Sequence, residues 1–218
     1  MRLLLLNPNT NVATTALMVA RARSCAPPDV EVVGATVDEG APLLVDPVLL
    51  AAGARAVVRF VDRLDASGLA GLIVAAFGDP GLDQVRARLA VPVTGIAEAA
   101  IGEASAVGRF AIVTTTPLLE DAIAVRVAAC GATARYAGCV FARGDAAALG
   151  RDPAALEAAL EAACREALAS LRPSAIVIGG GPLAAAAEAL APRLPVPVIE
   201  PVPAAVRAAV RRAREAAR

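Results

Sequence analysis

Few side chains in this 218-residue chain could do chemistry, and most of them stand at the ends of apolar runs. Asp79 follows the run Leu72 to Ala76, inside the turn Gly78-Asp-Pro-Gly81, and Glu200 closes the run Val196 to Ile199. Either carboxylate could accept or return a proton. Each also has an ordinary use: Asp79 tying its own loop, Glu200 favouring the start of the next helix. Asn7, Asn9 and Thr10 follow the run Leu3 to Leu6 and could bind a carboxylate or carbonyl, or simply cap the helix that follows. Thr114, Thr115 and Thr116 bring hydroxyls to another run's end. Ala76, Phe77, Gly78, Gly180 and Gly181 are small apart from Phe77, so backbone amides there would be open to an oxyanion or carboxylate.

What the chain lacks narrows the choices further. It contains no His and no Lys. A Ser-His-Asp triad, a Cys-His pair, a His-ligated metal, a Schiff base and a Walker-type phosphate loop are therefore excluded. Every basic side chain is Arg, which does not accept protons. The four cysteines show no metal spacing. Cys139 and Cys164 read as small buried hydrophobes, and Cys25 and Cys130 adjoin turns without an activating neighbour. No His-ligated or cysteine-cluster metal site is expected.

The elements that must position these residues alternate strand and helix. Hydrophobic residues make up 57% and aromatics 2%, the composition of an Ala, Val, Leu and Ile core of helices on parallel sheet. Strands are expected at Leu3 to Leu6, Val30 to Val37, Leu72 to Ala76 and Val91 to Val93. Helices are expected from about Asn9 or Thr10 to Ser24, over Leu49 to Leu64 and over Asp83 to Leu89. The pattern restarts with strands at Phe110 to Thr114, Ala134 to Phe141, Ala175 to Gly179 and Val196 to Ile199. Its helices are Pro153 to Leu171 and an Arg-rich one from Pro203 to Arg218. Leu89-Ala-Val-Pro-Val93 recurs as Leu194-Pro-Val-Pro-Val198, and Ala76 and Gly180 are separated by nearly the same interval. This repetition predicts two similar α/β halves with parallel sheets about a pseudo-twofold, residues 1–95 with 202–218 and residues 96–201, and a pocket between them.

Net charge is zero and no basic stripe carries interleaved aromatics, so nucleic acid is not an expected partner. Met1 to Leu6 is too short for a signal peptide or membrane span, and Asn7-Pro8 breaks it. The expectation is a cytoplasmic protein with reduced thiols and no membrane partner.

Taken together, Asn7-Pro-Asn-Thr10, Phe77-Gly-Asp-Pro-Gly-Leu82, Thr114-Thr-Thr116 and Pro197-Val-Ile-Glu-Pro-Val202 resemble the hydantoin racemase branch of the aspartate/glutamate racemase superfamily, over nearly the whole chain. The resemblance implies two Rossmann-like (flavodoxin-like) halves, an interdomain pocket, no cofactor and a homo-oligomer. Its implied ligands are small carboxylates or cyclic amides such as hydantoins or allantoin. The family racemises with one cysteine at each of two strand tips. The matching positions here are Ala76 and Gly180, and neither side chain can move a proton. Three readings stay open. One is isomerase, lyase or hydrolase chemistry at an acidic carbon using Glu200 or Asp79 with water. The second is a catalytically silent binding protein, and the third is a variant inactivated by substitution.

Overall fold

A computed structural model describes residues 1–218. Strands β1 (Arg2–Asn7), β2 (Glu31–Thr36), β3 (Gly71–Val74) and β4 (Val93–Gly95) form one parallel sheet in the order β2-β1-β3-β4. Strands β5 (Phe110–Thr114), β6 (Tyr136–Phe141), β7 (Ala175–Ile178) and β8 (Val198–Ile199) form a second parallel sheet, β6-β5-β7-β8. The second order is the first, strand for strand. The repeat in the sequence is thus a repeat of topology, and the α/β class with two parallel sheets stands.

The helices are α1 (Val12–Cys25), α2 (Pro47–Asp62), α3 (Leu82–Arg86), α4 (Ile96–Val107), α5 (Glu120–Ala129), α6 (Ala146–Leu149), α7 (Pro153–Leu171), α8 (Ala184–Leu190) and α9 (Pro201–Ala216). Three departures from the sequence reading have physical causes. Helix α1 is capped by Asn11, whose side chain accepts from the Thr14 amide at 3.1 Å, and not by Asn9 or Thr10. The fourth strand begins at Val93, because Pro92 has no N–H and serves the sheet through its carbonyl, which accepts from Leu72. Helices α4, α5, α6 and α8 were not anticipated. Helix α4 is apolar on more than one face, with Ile96, Ala97, Ala99, Ala100, Ile101 and Ala104 all buried, so it shows no clear stripe.

Alternation along each strand divides the core. Leu4, Leu6, Leu72 and Val74 face α2 and α3, and Ala111, Val113, Ile176 and Ile178 face α7 and α8. The opposite faces share one interior. Leu3, Leu5 and Ile73 of the first sheet belong to the same cluster as Phe110, Ile112 and Val177 of the second. Helices α1, α4 and α9 supply the layer between, with Met18, Ala100, Ile101, Ala205 and Val206 inside it. Helix α9 leaves β8 of the second sheet and lies across α1, α4 and β3. Its alanines at 204, 205, 208 and 209 are all buried, and such small side chains let it sit close to the alanines of α4. No helix is long and apolar enough to cross a membrane.

Candidate functional site at the strand tips

The loop after β3 is built from unusual backbone. Gly78, Asp79 and Gly81 all have positive φ, at 104°, 51° and 78°. Asp tolerates that region better than most side chains, and here its carboxylate repays it. One Asp79 oxygen accepts from the Ala97 amide and the other from the Glu98 amide, each at 2.8 Å, which satisfies the first turn of α4. Arg126 of α5 stands 3.7 Å from the same carboxylate and donates to the Asp79 carbonyl at 3.4 Å. The residue is 1% exposed. Burial pushes its pKa up to about 7, against the pull of the two amides and Arg126. A β-carbon at residue 95 would overlap the Asp79 carboxylate, so Gly95 is a packing requirement.

At the β1 tip, Asn7 is fully buried and its side chain is committed to its own loop. Its Nδ2 donates to Asn9 Oδ1, the Asn11 carbonyl and Thr15 Oγ1 at 2.9 to 3.1 Å, and its Oδ1 accepts from the Asn9 amide at 3.2 Å. Asn9 Oδ1 also takes the Asn11 amide at 3.0 Å, but Asn9 Nδ2 and the Thr10 hydroxyl are not engaged by protein groups. In the second half, Thr114 Oγ1 donates to the Gly179 carbonyl at 2.6 Å and lies 3.3 Å from Thr116 Oγ1.

The two sets of tips meet. The Phe77 ring covers Gly179, where a β-carbon would come within 3.0 Å of it. A β-carbon at Gly181 would overlap the Met18 sulfur and lie 3.8 Å from the Ala75 carbonyl oxygen. Beside them, Leu183 folds back so that a β-carbon at Gly180 would stand 2.9 Å from its Cγ and Cδ1. At these tips the amides of Ala76, Phe77, Gly78, Thr115 and Thr116 donate to no protein acceptor.

Glu200 is placed differently. Both its oxygens are held by Arg21 of α1, at 2.8 Å from Nε and 2.6 Å from Nη2, which ties the first half to the end of β8. Arg21 also reaches Glu188 of α8 at 3.4 Å. Sequence reading found neither Arg21, Arg126, Met18 nor Leu183, because each acts through a partner far along the chain or in an element the pattern did not reveal. Burial pushes Cys130, which lies in the field of Asp79, Glu98 and Arg126, up to about 11 and Cys139 and Cys164 up to about 12. These three are thiols, not thiolates, near neutral pH. No group of His, Cys, Asp or Glu is arranged to hold a metal ion.

Residues 3–209 match the family model for Asp/Glu/Hydantoin racemase. A hydantoin racemase from Paenarthrobacter aurescens is 31% identical over 211 residues, covering 96% of this chain and 89% of that protein. The structure of an allantoin racemase from Klebsiella pneumoniae superposes with a TM-score of 0.91 at 32% identity, covering 97% of this chain and 86% of the other. An allantoin racemase from Pseudomonas fluorescens gives 0.94 at 30% identity, covering 99% and 92%.

Proposed function

The chain belongs to the Asp/Glu/hydantoin racemase family, and from that premise we propose that it takes a small cyclic amide or carboxylate between the two sets of strand tips and works at its acidic carbon. The observation that carries this reading is the group of unpartnered amides at Ala76, Phe77, Gly78, Thr115 and Thr116. With Asn9 Nδ2 and the hydroxyls of Thr10, Thr115 and Thr116, they supply donors from both halves to a carbonyl-rich ligand. When the acidic carbon loses its proton, negative charge moves onto the neighbouring carbonyl oxygen, where fixed amides stabilise it most. Gly180 and Gly181 let the backbone come close, Phe77 walls the site, and Asn7 holds the β1 loop in shape. No cofactor is needed for that chemistry. A cytoplasmic homo-oligomer goes with this reading, and light scattering on the purified protein tests the assembly.

In this reading the acid/base work does not use a thiol pair, since positions 76 and 180 hold Ala and Gly. Glu200, with bound water, is the carboxylate assigned to the proton, and Asp79 holds the loop beneath. A single base serves one face of the carbon. It therefore exchanges the proton for solvent deuterium faster than it inverts the centre, whereas a base on each face couples exchange to inversion. The test is NMR of L-5-benzylhydantoin and allantoin in deuterium oxide, alongside optical rotation. Expected is exchange above the buffer rate, with rotation decaying more slowly, and loss of the excess in Glu200→Gln. Absence of both exchange and binding would overturn the proposal.

A second reading, a binding protein without turnover, is favoured by one observation: Arg21 occupies both Glu200 oxygens. Saturable binding with no exchange would select it. Restoring cysteine at both tips (Ala76→Cys with Gly180→Cys) is then expected to bring racemisation. Leu183 must swing aside to admit the second thiol, so adding Leu183→Ala should increase the gain.

A further inference from the structure

Arg21 and Arg126 occupy matching places in the repeat. Arg21 and Cys25 precede β2 by the same intervals at which Arg126 and Cys130 precede β6, and β2 and β6 are the matching edge strands of the two sheets. Each guanidinium crosses to the other half. Arg21, on α1, holds Glu200, where α9 starts after β8. Arg126, on α5, meets Asp79, whose carboxylate caps α4 after β4. Strands β4 and β8 are again counterparts. The arginines recur but the carboxylates do not, since Glu200 stands at the start of its own helix and Asp79 belongs to the loop after β3. What recurs is therefore the bridge. Both bridges are shielded, with side-chain exposures of 16% for Arg126 and 0% for Asp79, and of 22% for Arg21 and 14% for Glu200. Asp79 is the only polar partner of Arg126, through its carboxylate and its carbonyl.

Each bridge also reaches a strand tip of the opposite half. Asp79 directly follows Ala76 to Gly78, whose amides are open, so a hold on its carbonyl and carboxylate is a hold on that loop. Arg21 pairs at 3.4 Å with Glu188 of α8, the helix that follows the turn Gly180 to Leu183. We infer that Arg126 and Arg21 are positioning residues for the cleft: Arg126 holds the Ala76 to Gly78 amides toward the second half, and Arg21 holds the turn after β7 toward the first. The inference rests on the ligand site proposed above. The two sheets are separate, so no backbone ladder fixes the spacing of their tips. A displacement of about 1 Å is enough to spoil a donor's alignment with a reacting ligand, and a planar guanidinium that engages two oxygens of one residue fixes direction as well as distance.

The test turns on Arg126, since Arg21 also binds the carboxylate assigned to the proton. Arg126→Met keeps an apolar stem and loses the bridge. Val127→Ala disturbs the core face of the same helix and leaves the bridge in place. Without ligand, the unaltered protein should show an NOE between the Phe77 ring and the Gly179 α-protons, a contact between the halves. Arg126→Met should lose it and Val127→Ala should keep it. Arg21→Met should lose instead the NOE between the Met18 methyl and Gly181. With allantoin or L-5-benzylhydantoin, Arg126→Met should weaken binding at least tenfold, Arg126→Lys should recover part of it, and Val127→Ala should bind as the unaltered protein does. Retention of the Phe77 NOE in Arg126→Met, its equal loss in Val127→Ala, or unchanged affinity in Arg126→Met would each overturn the assignment. An unaltered protein that binds neither compound would count against the ligand site itself, and the NOE pattern would still decide whether the arginines set the contact between the tips.

Discussion

The Asp79 carboxylate is buried and held by two amides and Arg126, and its titration carries a prediction. Burial raises its pKa to about 7 from an ordinary value of 3.8, so the folded protein holds that proton more tightly than the unfolded chain. Its contribution is therefore fully present below about pH 4 and is lost as pH rises through 7. Calorimetry at pH 5 and pH 8 should show a lower Tm at pH 8, with a flatter profile in Asp79→Asn. The same variant puts an NH2 against one of the two α4 amides and should cost about 1–3 kcal/mol at pH 5. A full Tm at pH 5 in this variant would contradict the cap. Arg21→Ala leaves Glu200 without either of its bonds and should cost a similar ~1–3 kcal/mol, less at high salt because both groups are partly exposed. The sequence marked both carboxylates by their places at the ends of apolar runs. It could not assign their partners, since Arg126 and Arg21 lie 47 and 179 residues away.

Elements meet at the tips through glycines that leave no space. Gly181→Ala would drive a methyl into the Met18 sulfur, with an expected loss of about 1–3 kcal/mol. Met18→Ala in the same chain should recover part of it, and urea melts of the two variants decide the matter. Equal stability of Gly181→Ala and the parent would mean that the β7 turn does not rest on α1. Strands β1, β3, β5 and β7 were legible because each is a short apolar run buried on both faces, and α7 was read to its ends from Pro153 to Leu171. Helix α4 was not, because burial on several sides removes the contrast that periodicity needs. Its start is held by Glu98, which accepts from the Gly95 amide, and by Asp79 of the loop after β3, and local sequence carries no trace of the Asp79 part.

At the scale of the molecule, the repeated strand order was foreshadowed by the matching runs at Leu89 to Val93 and Leu194 to Val198. The shared interior was not. Residues of both sheets belong to one cluster around α1, α4 and α9, and nothing in a repeat says whether its copies have separate cores. One consequence is cooperative unfolding: calorimetry should show a single transition whose van't Hoff and calorimetric enthalpies agree. Two resolved transitions would mean that the halves are energetically separate. Another consequence concerns the ribosome. Helix α9, which covers the inner face of the first sheet, is synthesised after both sheets. Strands β1 and β3 therefore wait, with part of their inner face uncovered, until α9 has emerged. In that interval apolar surface that the finished protein hides completely is open to other chains.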